Sequence, residues 1–372
     1  LTNGSSYTLT ADVSDVAGNA AAQVTSSSFS VETTVPTISG VSLAADNSTL
    51  IVTMSETVYN TNGGSGSLEV SDFALSISGG VASINGTPSA ISSDGNEYTL
   101  GLTISGTPNG LETLTVVPSS SSAIYDLAGN AASTTQSNNT VSLNDTSPPT
   151  LSNVSIVSNN TTNTLAKAGD EITLTFTASE TINEPVVTFQ SGSSAITDSS
   201  VTYSNTSGNT WTAKYTANAS DTDGSVTYSI AFSDVTNSGT DVTTGSGSVI
   251  FDNTVPTITI ASTTSGVTDG SITNDSTIAL TFTSSEATTN FAAGDITVDG
   301  GTLSSFAGSG TSYTATFTPS SDGATTIDVA ADVFTDAVGN NNTSATQFNW
   351  TYDGTVPTIT IASTTSGVTD GS

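Results

Sequence analysis

Eighteen residues of this chain occur twice, letter for letter. Residues 254–271 and residues 355–372 both read TVPTITIASTTSGVTDGS, a displacement of 101 residues. A looser form of the seam recurs as ETTVPT at 32–37 and DTSPPT at 145–150. The seams cut the chain into a partial domain (1–34), three whole domains (35–146, 147–254 and 255–354) and the start of a further repeat (355–372). Units of this size fit a string of separately folded domains, because solenoid repeats are only ~20–50 residues long. Both ends fall inside a domain, so the native protein is expected to be longer than this chain.

Within 255–354 the apolar residues alternate with period two. Ile278, Leu280 and Phe282 share a face, as do Tyr313, Ala315 and Phe317, and Phe348, Trp350 and Tyr352. The preceding unit repeats the pattern with Ile172, Leu174 and Phe176, then Trp211, Ala213 and Tyr215, then Tyr228, Ile230 and Phe232. The unit before it offers Tyr98, Leu100, Leu102 and Ile104. Alternation bounded by Gly, Asn, Asp and Pro marks half-buried antiparallel strands. Turn dipeptides stand at Asn3-Gly4, Asn109-Gly110, Asp223-Gly224 and Asp322-Gly323, where tight strand connections need them. Helical spacing is nowhere sustained beyond one short turn near Ala330 to Thr335. About seven strands in ~100 residues describe an immunoglobulin-like sandwich. The fold class expected is therefore all-β: tandem immunoglobulin-like β-sandwich domains in an extended array. The aromatic stripe of Phe348, Trp350 and Tyr352 falls on core parity and reads as core, not as a sugar-stacking platform.

Composition narrows the partners. Two lysines, Lys167 and Lys214, stand against 33 acids, for a formal charge of -31, and there is no histidine or cysteine. Neither phosphate neutralisation nor a polybasic anchor is available, which excludes nucleic acid and an anionic membrane surface. No stretch approaches the ~18 apolar residues of a membrane-spanning helix. Catalysis has little to work with: no histidine base and no cysteine nucleophile. Of the lysines, Lys214 alternates with core residues and is expected to point outward. Carboxylate pairs could hydrolyse glycosides, but acids repeated at every seam argue for structure. The chain is read as no enzyme.

The run FAAGDITVDGGTLSSFAGSGTSYTATFTPSSDGATTIDVAADVFTDAVGNNN at 291–342 resembles the bacterial Ig-like repeat of giant surface proteins and biofilm adhesins. The resemblance extends to 35–146 through SETV (55–58) and DLAGN (126–130), more loosely to 147–254 through SETI (179–182) and WTAKYT, and to the opening fragment through DVAGN (15–19). It implies an extracellular, cell-surface location and a spacing or stiffening role in a stalk or filament.

Three acidic positions recur, and strand parity predicts that they meet. In a seven-strand sandwich the second and sixth strands both end at the pole where the chain enters. The loop after the second strand carries Glu56, Glu180 and Glu286, and the loop after the sixth carries Asp126, Asp234 and Asp336. The linker adds an acid four residues before each seam proline: Glu32, Asp145, Asp252 and Asp353. Clustered carboxylates repel and raise one another's pKa. A hard cation with six to eight oxygen ligands relieves this, so calcium is the expected cofactor at the junctions. Zinc would want the nitrogen or sulfur ligands that the chain lacks. The bland alternative is that the acids cap turns. The 147–254 unit is the weakest case, since its loop reads DVTNSGTDV without Gly-Asn, which makes its junction the candidate for a metal-free hinge. The seam prolines (Pro36, Pro149, Pro256, Pro357) stop one domain's last strand from running into the next.

The expected partners are neighbouring repeats of the same chain. Two further functions compete with the stalk. One is lateral assembly with other copies into a sheath, fibre or surface layer, which the negative charge opposes unless cations bridge. The other is a carbohydrate- or surface-binding module on outward threonines such as Thr173, Thr175 and Thr177, although threonine is an ordinary outward strand residue. Asn-x-Ser/Thr sequons at Asn3, Asn85, Asn205 and Asn342 are no more frequent than an Asn-, Ser- and Thr-rich chain produces by chance.

Overall fold

A computed structural model describes residues 1–197 and 200–367. The described residues form two compact units. One is Leu1–Pro149 with Ser233–Ser238, and the other is Thr150–Phe232 with Gly239 onward. Among the described residues, helical structure is confined to two single turns at Val70–Asp72 and Ala293–Asp295, neither visible as a sequence pattern. No helix among the described residues is long and apolar enough to cross a membrane.

The first unit holds one complete sandwich. Its first sheet runs in the order Ile38–Leu43, Thr49–Met54, Glu97–Gly101, Ile91–Asp94. The facing sheet runs Thr140–Ser142, Thr113–Pro118, Phe73–Ser78. Leu50, Val52, Met54, Tyr98, Leu100, Leu114 and Val116 fill the space between them. The alternation read from the sequence is the alternation of burial here: Thr113–Pro118 is buried at every second residue. Residues 1–34 add only short strand pairs, Ser6–Tyr7 with Phe29–Ser30 and Thr10–Ala11 with Val24–Thr25, and are largely exposed.

The second unit holds two sandwiches with separate cores. In one, the sheet Leu151–Ser158, Glu171–Ala178, Thr210–Thr216, Thr202–Ser207 faces a sheet built on Val186–Ser191 and Gly224–Ala231. Ile172, Leu174, Phe176, Phe189, Ala213, Tyr215 and Ile230 make its core. In the other, Ile258–Ser262, Ile278–Thr288 and Gly301–Pro319 form one sheet. Ser271–Thr273, Phe348–Tyr352, Gly323–Val329 and Ile296–Asp299 form the second. Ile278, Leu280, Phe282, Tyr313, Phe317, Phe348 and Trp350 are buried between them. Each fully buried side chain of this size contributes ~1.5–3 kcal/mol. Trp350 is 1% exposed, so the aromatic stripe lies inside the sandwich.

The described residues hold three separate cores, one in the first unit and two in the second. The loop Ser233–Ser238 departs from that division: it follows a strand of the second sandwich but groups with the first unit. Within that unit, Asn237 Nδ2 donates to the backbone oxygen of Asp145 at 3.4 Å. The second copy of the eighteen-residue repeat lies partly outside the described residues, at 368–372, and its described part forms no strand.

Candidate metal centre

Strand direction decides which acids meet in the third sandwich. Ile278–Thr288 carries Glu286 to its far end. The chain leaving Gly323–Val329 returns Asp336 to the same pole, where Thr288 and Asp336 form an antiparallel bridge. Asn290 ties the two loops again, accepting from the Thr335 N–H at 3.1 Å and donating to Thr335 Oγ1 at 3.3 Å. The linker brings in Asp252. One carboxylate oxygen from each of Asp252, Glu286 and Asp336 lies within 4.8 Å of the other two. Asp336 is buried and the others are half-buried.

Asp336 is held by its own loop. Its Oδ1 accepts the N–H groups of Val338, Gly339 and Asn340 at 2.7–2.9 Å, and its Oδ2 accepts Asn340 Nδ2 at 2.9 Å. The Glu286 carboxyl hydrogen-bonds to that of Asp336. Burial, followed by the charges of Asp252 and Asp336, pushes its carboxyl up to about 7. Burial also raises Asp252, and the neighbouring Asp223 and Asp336 add to the effect. Three acids with so little compensating charge disfavour full ionisation unless a cation joins them. Carboxylates alone, with no histidine or cysteine in the chain, are a donor set for a hard ion such as calcium.

In the first unit, Glu32 and Asp126 meet at Asn130. Asn130 Nδ2 lies 2.6 Å from Glu32 Oε2 and 2.7 Å from Asp126 Oδ2. Burial raises the Glu56 carboxyl, with Asp126 and Glu32 as further causes. Asp126 is buried too, but hydrogen bonds from Asn130, Glu32 and Gly129 outweigh burial and hold its carboxyl low.

The remaining positions are placed as follows. Asp145 and Asp234 both belong to the first unit. Asp234 Oδ1 accepts Thr236 N–H at 2.6 Å and Asn237 N–H at 2.5 Å. Glu180 belongs to the second unit, just past the end of Glu171–Ala178. Asp353 is exposed at the seam before the second repeat copy, and its Oδ1 accepts the Thr355 N–H at 3.1 Å.

The turn-capping alternative is also true of every linker acid. Glu32 accepts the Thr34 N–H at 2.5 Å, Asp145 that of Ser147 at 2.8 Å, and Asp252 that of Thr254 at 3.0 Å. A carboxylate has two oxygens, so one can cap the turn while the other faces a cation.

The asparagines were the residues that sequence reasoning passed over. Asn340 Nδ2 donates to the backbone oxygens of Asp252 at 3.0 Å and Thr254 at 3.3 Å, and Asn130 Nδ2 donates to that of Glu32 at 3.3 Å. Asn237 makes the equivalent bond to Asp145, so the loop lacking Gly-Asn keeps the donor one position earlier. The signal is the last letter of Asp-x-x-Gly-Asn, as in DLAGN at 126–130 and DAVGN at 336–340, a motif that reads both as a ligand loop and as turn chemistry. The glycine of that motif is a conformational requirement: Gly18, Gly129 and Gly339 have φ of 91°, 94° and 99°. The turn dipeptides also do more than turn. Asp223 accepts the linker's Asn253 N–H at 2.8 Å and Thr254 hydroxyl at 2.6 Å. Asp322 accepts from Gly354 and Thr355, and Asn3 engages Thr33 and Thr34. Of the sequons, Asn342 is 2% exposed, and its side-chain oxygen accepts from Val333 and Phe334, so it offers no glycan acceptor in the folded domain.

Two facing, mainly antiparallel sheets around each of three cores define the class: tandem immunoglobulin-like sandwiches. Residues 252–352 match the family described as bacterial Ig-like domain. No curated protein matches the chain. Among solved structures, an I-band fragment of titin is similar over 86% of this chain and 98% of its own length, at 10% identity and a TM-score of 0.38. The paired Ig domains of DIP-gamma are similar over 55% and 97%, at 13% identity and a TM-score of 0.29. The fold assignment rests on the strand order and cores of the chain itself.

Proposed function

We propose that this chain is a non-catalytic segment of an extracellular stalk or filament in a large repetitive surface adhesin, stiffened by calcium at its domain junctions. The observation that carries the calcium part is the meeting of Asp252, Glu286 and Asp336 within 4.8 Å. Three acids from a linker and two loops converge where one sandwich hands over to the next. An ion bound there would hold all three segments at once, so interdomain swivel would cost the ion its ligands. The surface-stalk part is supported by the bacterial Ig-like match at 252–352 and by the recurrence of the same acids along the sequence.

The test is thermal unfolding of the whole chain with calcium or with a chelator, at constant ionic strength. Calcium at ~100 times its Kd stabilises by ~2.7 kcal/mol, a shift of ~4–8 °C per kcal/mol for a domain of this size. The shift is expected to be largely lost in Asp252→Asn. An equal rise with sodium alone, or an undiminished calcium shift in Asp252→Asn, would sink the proposal.

A further inference from the structure

The second and third sandwiches are joined by more than acids. The loop from Asp336 to Asn340 is gripped from the side of the preceding sandwich. Asn160 Nδ2 donates to the Val338 backbone oxygen at 3.1 Å, and the Lys167 ammonium donates to that of Gly339. A Cβ added at Gly339 would lie 3.4 Å from Lys167 Nζ, so the contact also suits a residue without a side chain. Asp170 accepts Asn160 Nδ2 at 2.8 Å and the backbone N–H of Lys167 at 2.8 Å, holding the first donor and the main chain that carries the second. In return, Asn340 donates to Asp252 and Thr254 of the linker. Asp223 holds the linker through Asn253 and Thr254. Val338 is buried without belonging to the core of its own sandwich.

The charge placement is telling. Lys214 pairs with Glu171 at 2.8 Å within one sheet. The other basic residue of the chain, Lys167, is spent on a neighbouring domain's carbonyl beside an acidic cluster. A hydrogen bond from a charged donor is roughly twice as strong as a neutral one.

We infer that the joint between the second and third sandwiches is locked by direct protein contacts without any cation, with Lys167 as its charged latch and Asn160 as a second one. A cation then acts on a joint that is already assembled. The fragment 1–34 meets the first sandwich with no basic residue on either side, so that joint has no such latch.

The experiment uses the full chain with Ser204→Cys and Ser312→Cys as labelling sites. Both are exposed, one on each sandwich, in a chain with no cysteine of its own. Interdomain distance distributions are measured by spin labels in chelator. The otherwise unsubstituted chain is expected to give one narrow distribution. Lys167→Met combined with Asn160→Ala is expected to at least double its width, while cooperative melting shows both sandwiches intact. Lys167→Arg with Asn160 retained, which keeps a charged donor, is expected to stay narrow. A chelated parent chain as broad as the double variant would overturn the inference, and so would a double variant as narrow as the parent. Every arm is metal-free, so a chain that binds no calcium would overturn the proposed stiffening by calcium and leave this result untouched.

Discussion

Glu112 has no exposed surface, yet its carboxyl is held below the ordinary value of 4.5. Burial pushes it up, and the N–H groups of Ala82, Val81 and Asn109, at 2.8–3.1 Å, more than reverse that. Replacing it with glutamine sets an amide donor among donors, and Glu112→Gln is expected to cost ~3 kcal/mol in urea unfolding of the first sandwich. A lowered native pKa means the stabilisation is present above 4.5 and is lost as pH falls through the native value. Glu286 is the opposite case. Without a cation its native value of about 7 exceeds 4.5, so the folded state holds the proton more tightly. Stability of the third sandwich in chelator should therefore fall as pH rises from about 5 to about 8. Unfolding midpoints of Glu286→Gln should be flat across that range, and an equally steep slope in the variant would contradict the assignment. The raised carboxyl of Glu286 is what clustering with Asp252 and Asp336 predicts, but the behaviour of Glu112 was not legible from the letters. Glu112 stands beside an Asn-Gly turn with nothing to mark it as buried, whereas Glu286 was singled out because it follows a core strand.

The strands themselves were legible wherever one face is buried, because a period of two leaves no freedom in which residues point inward. Ile278, Leu280 and Phe282 are 0–1% exposed, as their spacing predicts. Leu280→Ala should leave a cavity worth ~3–4 kcal/mol. In a Trp211→Phe background, where Trp350 is the remaining tryptophan, its fluorescence should report the fall in midpoint. Less legible was anything set by pairing. The first strand of the third sandwich splits, with Ile258–Ser262 antiparallel to one sheet and Ser271–Thr273 parallel to Phe348–Tyr352 in the other. Gly301–Pro319 folds back on itself near Gly308 and Gly310, so that Ser304 reaches the Thr316 carbonyl and Thr314 that of Ala307. Strand propensity supplies the candidate, and a neighbour makes it a strand.

At the scale of the chain, a formal charge of -31 adds a diffuse self-repulsion on top of the local clusters. Raising sodium chloride from low concentration should therefore lift the unfolding midpoints of all sandwiches, including those of Asp252→Asn, with the effect levelling off as screening saturates. A calcium increment measured above that plateau is the part that belongs to a site. The bridging asparagines carry a consequence of another kind. Asn130 and Asn340 take hold of Glu32 and Asp252 by their backbone oxygens. A carbonyl is present whatever amino acid follows the last strand, so the coupling between successive modules asks little of the letters around it. Copies can then be inserted, deleted or recombined along a gene without each new neighbour having to be re-fitted to the old one.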